Sequence, residues 1–289
     1  MLNAAIPVMI SFLVCFCALV AVSSALGDMR DVPIVELILQ AKNGSSEAQD
    51  ELGFRYASGM DVEEDYAEAA KWYLAAAEQG HVKAQNEIGG FYEKGIGVPR
   101  DLRRAVYWYE KAGAQGYAPA QYNLSLKLSA GEGVKKDAVQ SAKWLGKAAE
   151  AGAAQAEFNM GVKCLGGSGV KQDHQEAAKW FRRSADHGFP MAMFNLASCY
   201  IAGEGVERDV VQAYKWLYLS VSESRRKYLS EKSKTRRKMS HSELTEWLYP
   251  LEGDALNRAQ KGLELMRQAM TDVQVSAAMQ QADIWAPKD

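Results

Sequence analysis

The chain has 289 residues, of which 48% are hydrophobic and 24% are charged, and its formal net charge is −2 at pH 7. This composition is typical of a soluble globular domain, and the near-balance of charge gives no indication of a nucleic-acid partner.

The first segment of the chain is strongly apolar. Residues 6–26 contain no charged side chain, and Ser23 and Ala25 occupy the −3 and −1 positions of a signal-peptidase site. Residues 1–5 carry no Lys or Arg, and 6–26 is long enough to cross a bilayer uncleaved, since a spanning helix needs about 20 residues. We therefore predict that 1–27 is a signal peptide or membrane anchor. Export to a bacterial periplasm is favoured, with inner-membrane anchoring as the alternative.

Residues 28–47 are predicted to form a capping half-repeat. Within them, 31–44 has the pattern of a short helix, and its Gly44 lies 36 residues before Gly80, a spacing that recurs below. A lone helix here would cover the first repeat, as the ends of repeat proteins require.

A glycine-rich turn then occurs five times at a constant step of 36 residues, which indicates a repeat architecture. The turns are GMDV, GIGV, GEGV, GSGV and GEGV, at 59–62, 95–98, 131–134, 167–170 and 203–206. Before the second turn, Ala84, Ile88 and Tyr92 share one helical face. After it, Asp101 can cap a second helix that ends at Gly116. We predict five helical hairpins, at 48–83, 84–119, 120–155, 156–191 and 192–221.

Each predicted second helix carries one tryptophan, at Trp72, Trp108, Trp144, Trp180 and Trp216. A tryptophan buries about 150–250 Å². One hairpin cannot enclose such a ring, so we expect the tryptophans to form the buried seam between neighbouring hairpins. In the first turn Asp61 replaces the second glycine, and we expect the turn to survive because Asp tolerates left-handed backbone.

These residues resemble the Sel1-like repeat, a relative of the tetratricopeptide repeat. The family pattern A-x-x-x-LG-x-x-Y-x-x-G-x-GV-x-x-D-x-x-x-A-x-x-W-x-x-x-A-x-x-x-G is followed at 48–80, 84–116, 120–152 and 156–188, and a fifth copy at 192–220 lacks the final Gly. The resemblance implies an all-α, right-handed α/α superhelical solenoid with the first helix of each pair on the concave side. It also implies a scaffold or adaptor that binds partner proteins.

Two columns of the predicted first helices form the candidate binding site. Asn123, Asn159 and Asn195 recur at the repeat period, and an amide can donate to and accept from a peptide backbone at once. The neighbouring column is Asp50, Asn86, Tyr122, Phe158 and Phe194. Repeats should advance by about 8–10 Å, close to the roughly 9.3 Å of one polyproline-II turn. We predict that these eight residues contact an extended peptide at every third residue; alternatively, both columns serve packing alone.

The remaining chemistry-bearing residues form no catalytic or metal-binding pattern. Cys164 and Cys199 lie on adjacent first helices, about 8–10 Å apart and beyond the usual reach of a disulfide, so we expect two buried free thiols, with a bridge as the alternative. His81, His174, His187 and His241 show no metal-ligand spacing. We therefore expect neither a cofactor nor a metal.

Residues 222–289 are predicted to form a helical extension outside the repeats. The segment 222–238 has eight basic and two acidic residues, and its basic part, 225–238, is either a solvated helix or an attachment site for an anionic partner or lipid. Ser240 and Glu243 have the spacing of a capping box. Residues 254–270 form an amphipathic pattern, and 271–289 are expected to be weakly ordered.

Together these patterns favour a non-enzymatic adaptor of the cell envelope that binds an extended peptide or partner protein in its concave groove. Two alternatives stay open. A few relatives have been assigned cell-wall or antibiotic-modifying activity, which makes a hydrolase on the same fold the first. The second is a membrane-anchored assembly factor held by 6–26.

Overall fold

A computed structural model describes residues 29–234 and 253–287. The predicted signal or anchor segment 1–27, the Ser240/Glu243 capping box and residues 235–238 of the basic stretch lie outside the described residues. Within the described ranges, none of the helices combines the length and apolar character needed to cross a membrane.

The described chain is an all-α solenoid of five helical hairpins, as the sequence predicts. The first helices are α2 (Ser46–Ser58), α4 (Val82–Lys94), α6 (Ala118–Ala130), α8 (Ala154–Gly166) and α10 (Pro190–Ala202). The second helices are α3 (Tyr66–Glu78), α5 (Leu102–Ala114), α7 (Ala138–Glu150), α9 (His174–Asp186) and α11 (Val210–Lys234). Outside the hairpins lie a 3₁₀ turn (Met29–Asp31), α1 (Ile34–Lys42), α12 (Gly253–Ala269) and α13 (Asp272–Asp283).

The helix ends follow from local sequence. Each second helix begins at an aspartate whose carboxylate accepts backbone N–H groups of the first turn, at Asp65, Asp101, Asp137, Asp173 and Asp209. Each first helix ends at a glycine in the left-handed region, with φ between 65° and 81°. The fifth hairpin has Ser224 where the others have their final glycine, and α11 accordingly runs on to Lys234. Residues 225–234 of the basic stretch are therefore helical.

In all five second helices, the residue that follows the tryptophan carries a large side chain that is buried. These residues are Tyr73, Tyr109, Leu145, Phe181 and Leu217, each 1–3% exposed. Trp216 is fully buried and Trp108 is 9% exposed, while the other three tryptophans are half-buried. Trp72, Trp144 and Trp180 nevertheless pack against the apolar clusters, so they contribute to the seam from its edge.

The seam is built on a size match between facing helices. A Cβ added at Gly53, Gly89 or Gly161 would lie 2.6–2.8 Å from the ring of Tyr73, Tyr109 or Phe181 respectively. At the two equivalent positions the first helix carries Ser125 or Ala197, and there the second helix carries leucine instead of a ring. Glycine therefore occurs where the partner is aromatic, because the ring occupies the space that a side chain would need.

The second glycine of each turn fixes the distance between hairpins. A Cβ at Gly97, Gly133, Gly169 or Gly205 would lie 1.9–2.2 Å from a backbone carbonyl oxygen at the start of the preceding second helix. Within the described residues no hairpin precedes the first one, and its turn accommodates Asp61, whose φ is 59°. The expectation that Asp61 preserves the turn is confirmed.

The N-terminal end of the solenoid is closed by α1 and a buried arginine. Leu37 and Ala41 of α1 form one apolar cluster with Ala48 and Leu52 of α2. The guanidinium of Arg55, 1% exposed, donates to the Glu51 and Asp61 carboxylates. It also donates to the backbone carbonyls of Met29, Arg30 and Val32. A fully buried arginine is stable here because two carboxylates contact its charge and each of its three side-chain nitrogens has at least one acceptor.

The C-terminal end is closed by α12 and α13, which pack on α11. Trp285 meets Trp216 edge to face with ring centroids 6.2 Å apart. The amphipathic pattern at 254–270 corresponds to α12. The expected weak order of 271–289 is wrong for Asp272–Asp283, because Thr271 and Gln274 form a full capping box that starts α13.

Candidate functional site

The two candidate columns lie on consecutive first helices, and hydrogen bonds join them across repeats. The Asn123 side-chain amide on α6 donates to the Asn86 amide oxygen on α4 at 3.1 Å. The Asn159 amide on α8 donates to the Tyr122 hydroxyl at 3.0 Å. Each bond joins two residues that are 37 apart in the chain. The donor is an asparagine of one column, and the acceptor is a residue of the neighbouring column in the repeat before it.

Asn195 interrupts this series. Its counterpart in the preceding repeat is Phe158, which has no polar atom, and the half-buried Asn195 amide makes no hydrogen bond within the described chain. Asn123 and Asn159 each use one amide N–H, and their carbonyl oxygens accept no hydrogen bond there. An amide can form four hydrogen bonds, so this face retains free donors and acceptors, most of all at Asn195.

In the first two repeats, the residues of the same columns are more buried, and several of them are carboxylates. Asn86 is only 3% exposed and its amide donates to Glu87 at 3.4 Å. Glu51 and Glu87 are buried, and burial raises the pKa of Glu51 above its usual value. The half-buried Asp50 carboxylate lies 3.5 Å from the His81 ring. Asn86 therefore serves contacts between repeats and offers almost no surface.

Repeats 3–5 present an open and apolar version of the columns. Tyr122, Phe158 and Phe194 are half-buried. One helical turn after the first two rings, Leu126 and Val162 are 42% and 44% exposed. These two aliphatic residues were not among those predicted from the sequence. The signal was available, because they lie four residues after the aromatic column and therefore share its face.

The family resemblance implies that the first helices line the concave side of the solenoid, so we call the surface formed by Tyr122, Asn123, Leu126, Phe158, Asn159, Val162, Phe194 and Asn195 the concave strip. It combines half-buried rings, exposed aliphatic side chains and amides with unused hydrogen-bonding capacity. This combination suits a main chain that presents both apolar side chains and peptide groups.

The most prominent carboxylate–histidine contact of the described residues lies outside this strip, and its carboxylate is fully buried while its cationic partners are partly exposed. Glu157 is 0% exposed, and its carboxylate contacts the Arg183 Nε at 3.0 Å and the His187 Nδ1 at 2.8 Å. Earlier repeats have a neutral contact at this position, where Gln115 donates to Gln85 at 2.8 Å. The Glu157 cluster therefore replaces a structural hydrogen bond.

The cysteines are also structural in the described chain. Cys164 and Cys199 are free and buried, as expected, and burial raises the pKa of both thiols. No group of three or more His, Cys, Asp or Glu side chains within 29–234 and 253–287 is arranged to hold a metal ion.

Comparison with known families agrees with the periodicity. The Sel1 repeat model matches five consecutive stretches, 46–81, 82–117, 118–152, 154–189 and 190–223, which together cover more than half of the chain. The chain belongs to the Sel1 repeat family. Sel1 repeat proteins are generally protein-interaction scaffolds without enzymatic activity. A search of curated proteins found no match.

Solved Sel1 repeat structures share the fold of this chain. One is c5321, a protective antigen present in uropathogenic Escherichia coli strains, with 29% identity and a TM-score of 0.67 over 86% of this chain. The match spans 55% of the length of c5321. Another is a Sel1 repeat protein from Oxalobacter formigenes, with 30% identity and a TM-score of 0.59, covering 77% of this chain and 85% of that one.

Proposed function

We propose that this Sel1 repeat protein is a non-enzymatic adaptor that binds an extended segment of a partner protein along the concave strip. The proposal is narrower than the sequence-based one, because it places the contact on repeats 3–5 and leaves out Asp50 and Asn86.

The observation that carries the proposal is the unsatisfied Asn195 amide among apolar neighbours. In the earlier repeats the equivalent asparagines are held by Asn86 and Tyr122. At Asn195 the preceding side chain is a phenylalanine, so both the donors and the acceptor remain available to a peptide backbone. A pair of hydrogen bonds is worth about 1–3 kcal/mol, and the flanking rings add apolar contact.

A peptide selection tests the proposal. A random library of displayed peptides would be selected on the wild-type chain, and the enriched peptide then titrated by fluorescence anisotropy. We expect Asn195→Ala and Phe194→Ala each to weaken binding at least fivefold. Lys179→Ala, which changes an exposed residue on a second helix, is the control and should bind as wild type. Equal affinity of all four proteins would refute the concave strip as the binding surface.

We further propose that the protein acts in the bacterial envelope after cleavage following Ala25. The apolar run 6–26 and the small residues at 23 and 25 support this. Amino-terminal sequencing of the protein recovered from a periplasmic fraction should begin at Leu26. Recovery of the intact amino terminus in the membrane fraction would favour the anchored alternative.

A further inference from the structure

A second polar site lies away from the concave strip, in an open groove of about 770 Å³ formed by α9, the end of α10 and the start of α11. Arg182, Tyr200, Arg208, Gln212 and Lys215 are among the residues that line it. Nothing in the concave strip uses these side chains.

Two cations converge in this groove on one buried ring. The Arg182 guanidinium lies 4.9 Å and the Lys215 ammonium 4.7 Å from the centroid of Trp216, which is 0% exposed. Neither cation has a carboxylate within 4.0 Å in the described chain. Burial, and then the charge of Arg182, lower the pKa of Lys215, while the smaller effect of Asp186 raises it. Both cations thus lie against the same ring, and both side chains are half-buried.

Comparison among the repeats shows that only the fifth combines a lysine that lacks this carboxylate partner with an arginine from the preceding repeat. At the same position, Lys71 pairs with Glu68 and Lys179 pairs with Glu176, three residues earlier on the helix. In the third and fifth repeats that earlier residue is neutral, Gln140 or Gln212, so Lys143 and Lys215 both lack this carboxylate. Arg182 is unique, because the equivalent residues of the other repeats are Leu74, Glu110, Gly146 and Tyr218.

We propose that this groove binds a phosphate group between Arg182 and Lys215. A planar guanidinium and a compact ammonium are the two cations that proteins use to bind phosphate, one through paired N–H donors and one as a point charge. A dianionic group matches the two unpaired charges better than a single carboxylate does.

Neutral donors complete the site. The Tyr200 hydroxyl accepts a hydrogen bond from Arg182 Nη2, which leaves its own proton free to donate. The Gln212 amide uses one N–H on Gln281 at 2.8 Å and keeps the other. Two acidic residues also border the groove. Asp209 accepts backbone N–H groups as the N-cap of α11, and Glu207 is exposed, as is the neighbouring Arg208.

The test is a calorimetric titration of the full chain with inorganic phosphate, with ionic strength held constant by sodium chloride. We expect saturable binding by the wild type and at least tenfold weaker binding by Lys215→Gln. The control Lys179→Gln, at the equivalent position of the fourth repeat, should bind within twofold of wild type.

Gln212→Glu keeps the test decisive if Lys215→Gln proves poorly folded. This substitution keeps both cations and places beside Lys215 the carboxylate that pairs with the equivalent lysine in repeats 1 and 4. Phosphate binding should therefore again fall at least tenfold. The thermal unfolding temperature should stay near that of wild type. Wild-type affinity in Gln212→Glu would overturn the proposal.

A second experiment distinguishes a lipid headgroup from a soluble phosphate as the ligand of the groove. Vesicles containing phosphatidic acid would be co-sedimented with the wild type and with Lys215→Gln. Retention that depends on Lys215 assigns the group to a lipid headgroup, whereas a response to inorganic phosphate alone assigns it to a soluble phosphate. A wild-type protein that binds neither probe in a Lys215-dependent manner would overturn the proposal.

Discussion

Replacing Gly161 by alanine tests the size match that builds the seam. The new Cβ would lie 2.6 Å from two ring carbons of Phe181, about 0.8 Å inside the closest ordinary contact. Phe181 is 1% exposed and also packs against Phe158, with centroids 5.9 Å apart, so the ring has little room to retreat. Overpacking costs about 1–3 kcal/mol. The gain in helix propensity is about 1 kcal/mol, so we expect a net loss of up to about 2 kcal/mol.

Gly146→Ala is the matched control, because that helical glycine has no atom within 4 Å of its added Cβ. It should stabilise the chain by about 0.5–1 kcal/mol from propensity alone. Phe181→Leu in the Gly161→Ala background should recover stability, since leucine faces the larger residue in repeats 3 and 5. Urea unfolding followed by circular dichroism measures all four chains. Equal stabilisation by Gly161→Ala and Gly146→Ala would refute the size-match argument.

Three further substitutions test other parts of the fold. In urea unfolding, Gly133→Ala should reduce stability by at least about 1 kcal/mol more than Gly116→Ala. Both glycines have positive φ, but only a Cβ at position 133 would meet a backbone carbonyl oxygen, at 2.2 Å. Equal losses of stability would contradict this. Ala151→Gln should add about 1 kcal/mol by donating to the buried, unpaired oxygen of Gln121, as the equivalent glutamines of repeats 1 and 2 do; no gain in thermal stability would contradict it. Burial raises the pKa of Tyr73 well above 10 in the folded state. As the pH rises past about 10, the Tyr73 hydroxyl therefore loses its proton in the unfolded chain but keeps it in the folded chain. Stability is therefore lost above about pH 10, and Tyr73→Phe should lose less between pH 9 and 11 in thermal melts; parallel curves would contradict the assignment.

The sequence was sufficient for those features that depend on residues close together in the chain. The N-cap aspartates, the left-handed glycines and the 36-residue period each follow from backbone chemistry within one hairpin. The capping box of Thr271 and Gln274 belongs to the same class and was overlooked, although its spacing is visible in the sequence.

Features that depend on the offset between neighbouring hairpins could not be predicted in the same way. The hydrogen bonds of the candidate site join residues 37 apart and not 36, because the asparagine of one repeat meets the preceding column of the repeat before it. Likewise, the tryptophan and the residue after it are adjacent on one helix, and only the rotation of that helix decides which is buried. Both outcomes depend on packing between helices, which periodicity does not specify.

The central claim is that repeats 3–5 bind an extended peptide on their concave face. Hydrogen–deuterium exchange of the chain, with and without the peptide selected on it, tests this claim most directly. The account predicts slower exchange in α6, α8 and α10 and little change in α2. Slower exchange confined to α2 and α4, or to the second helices, would contradict it.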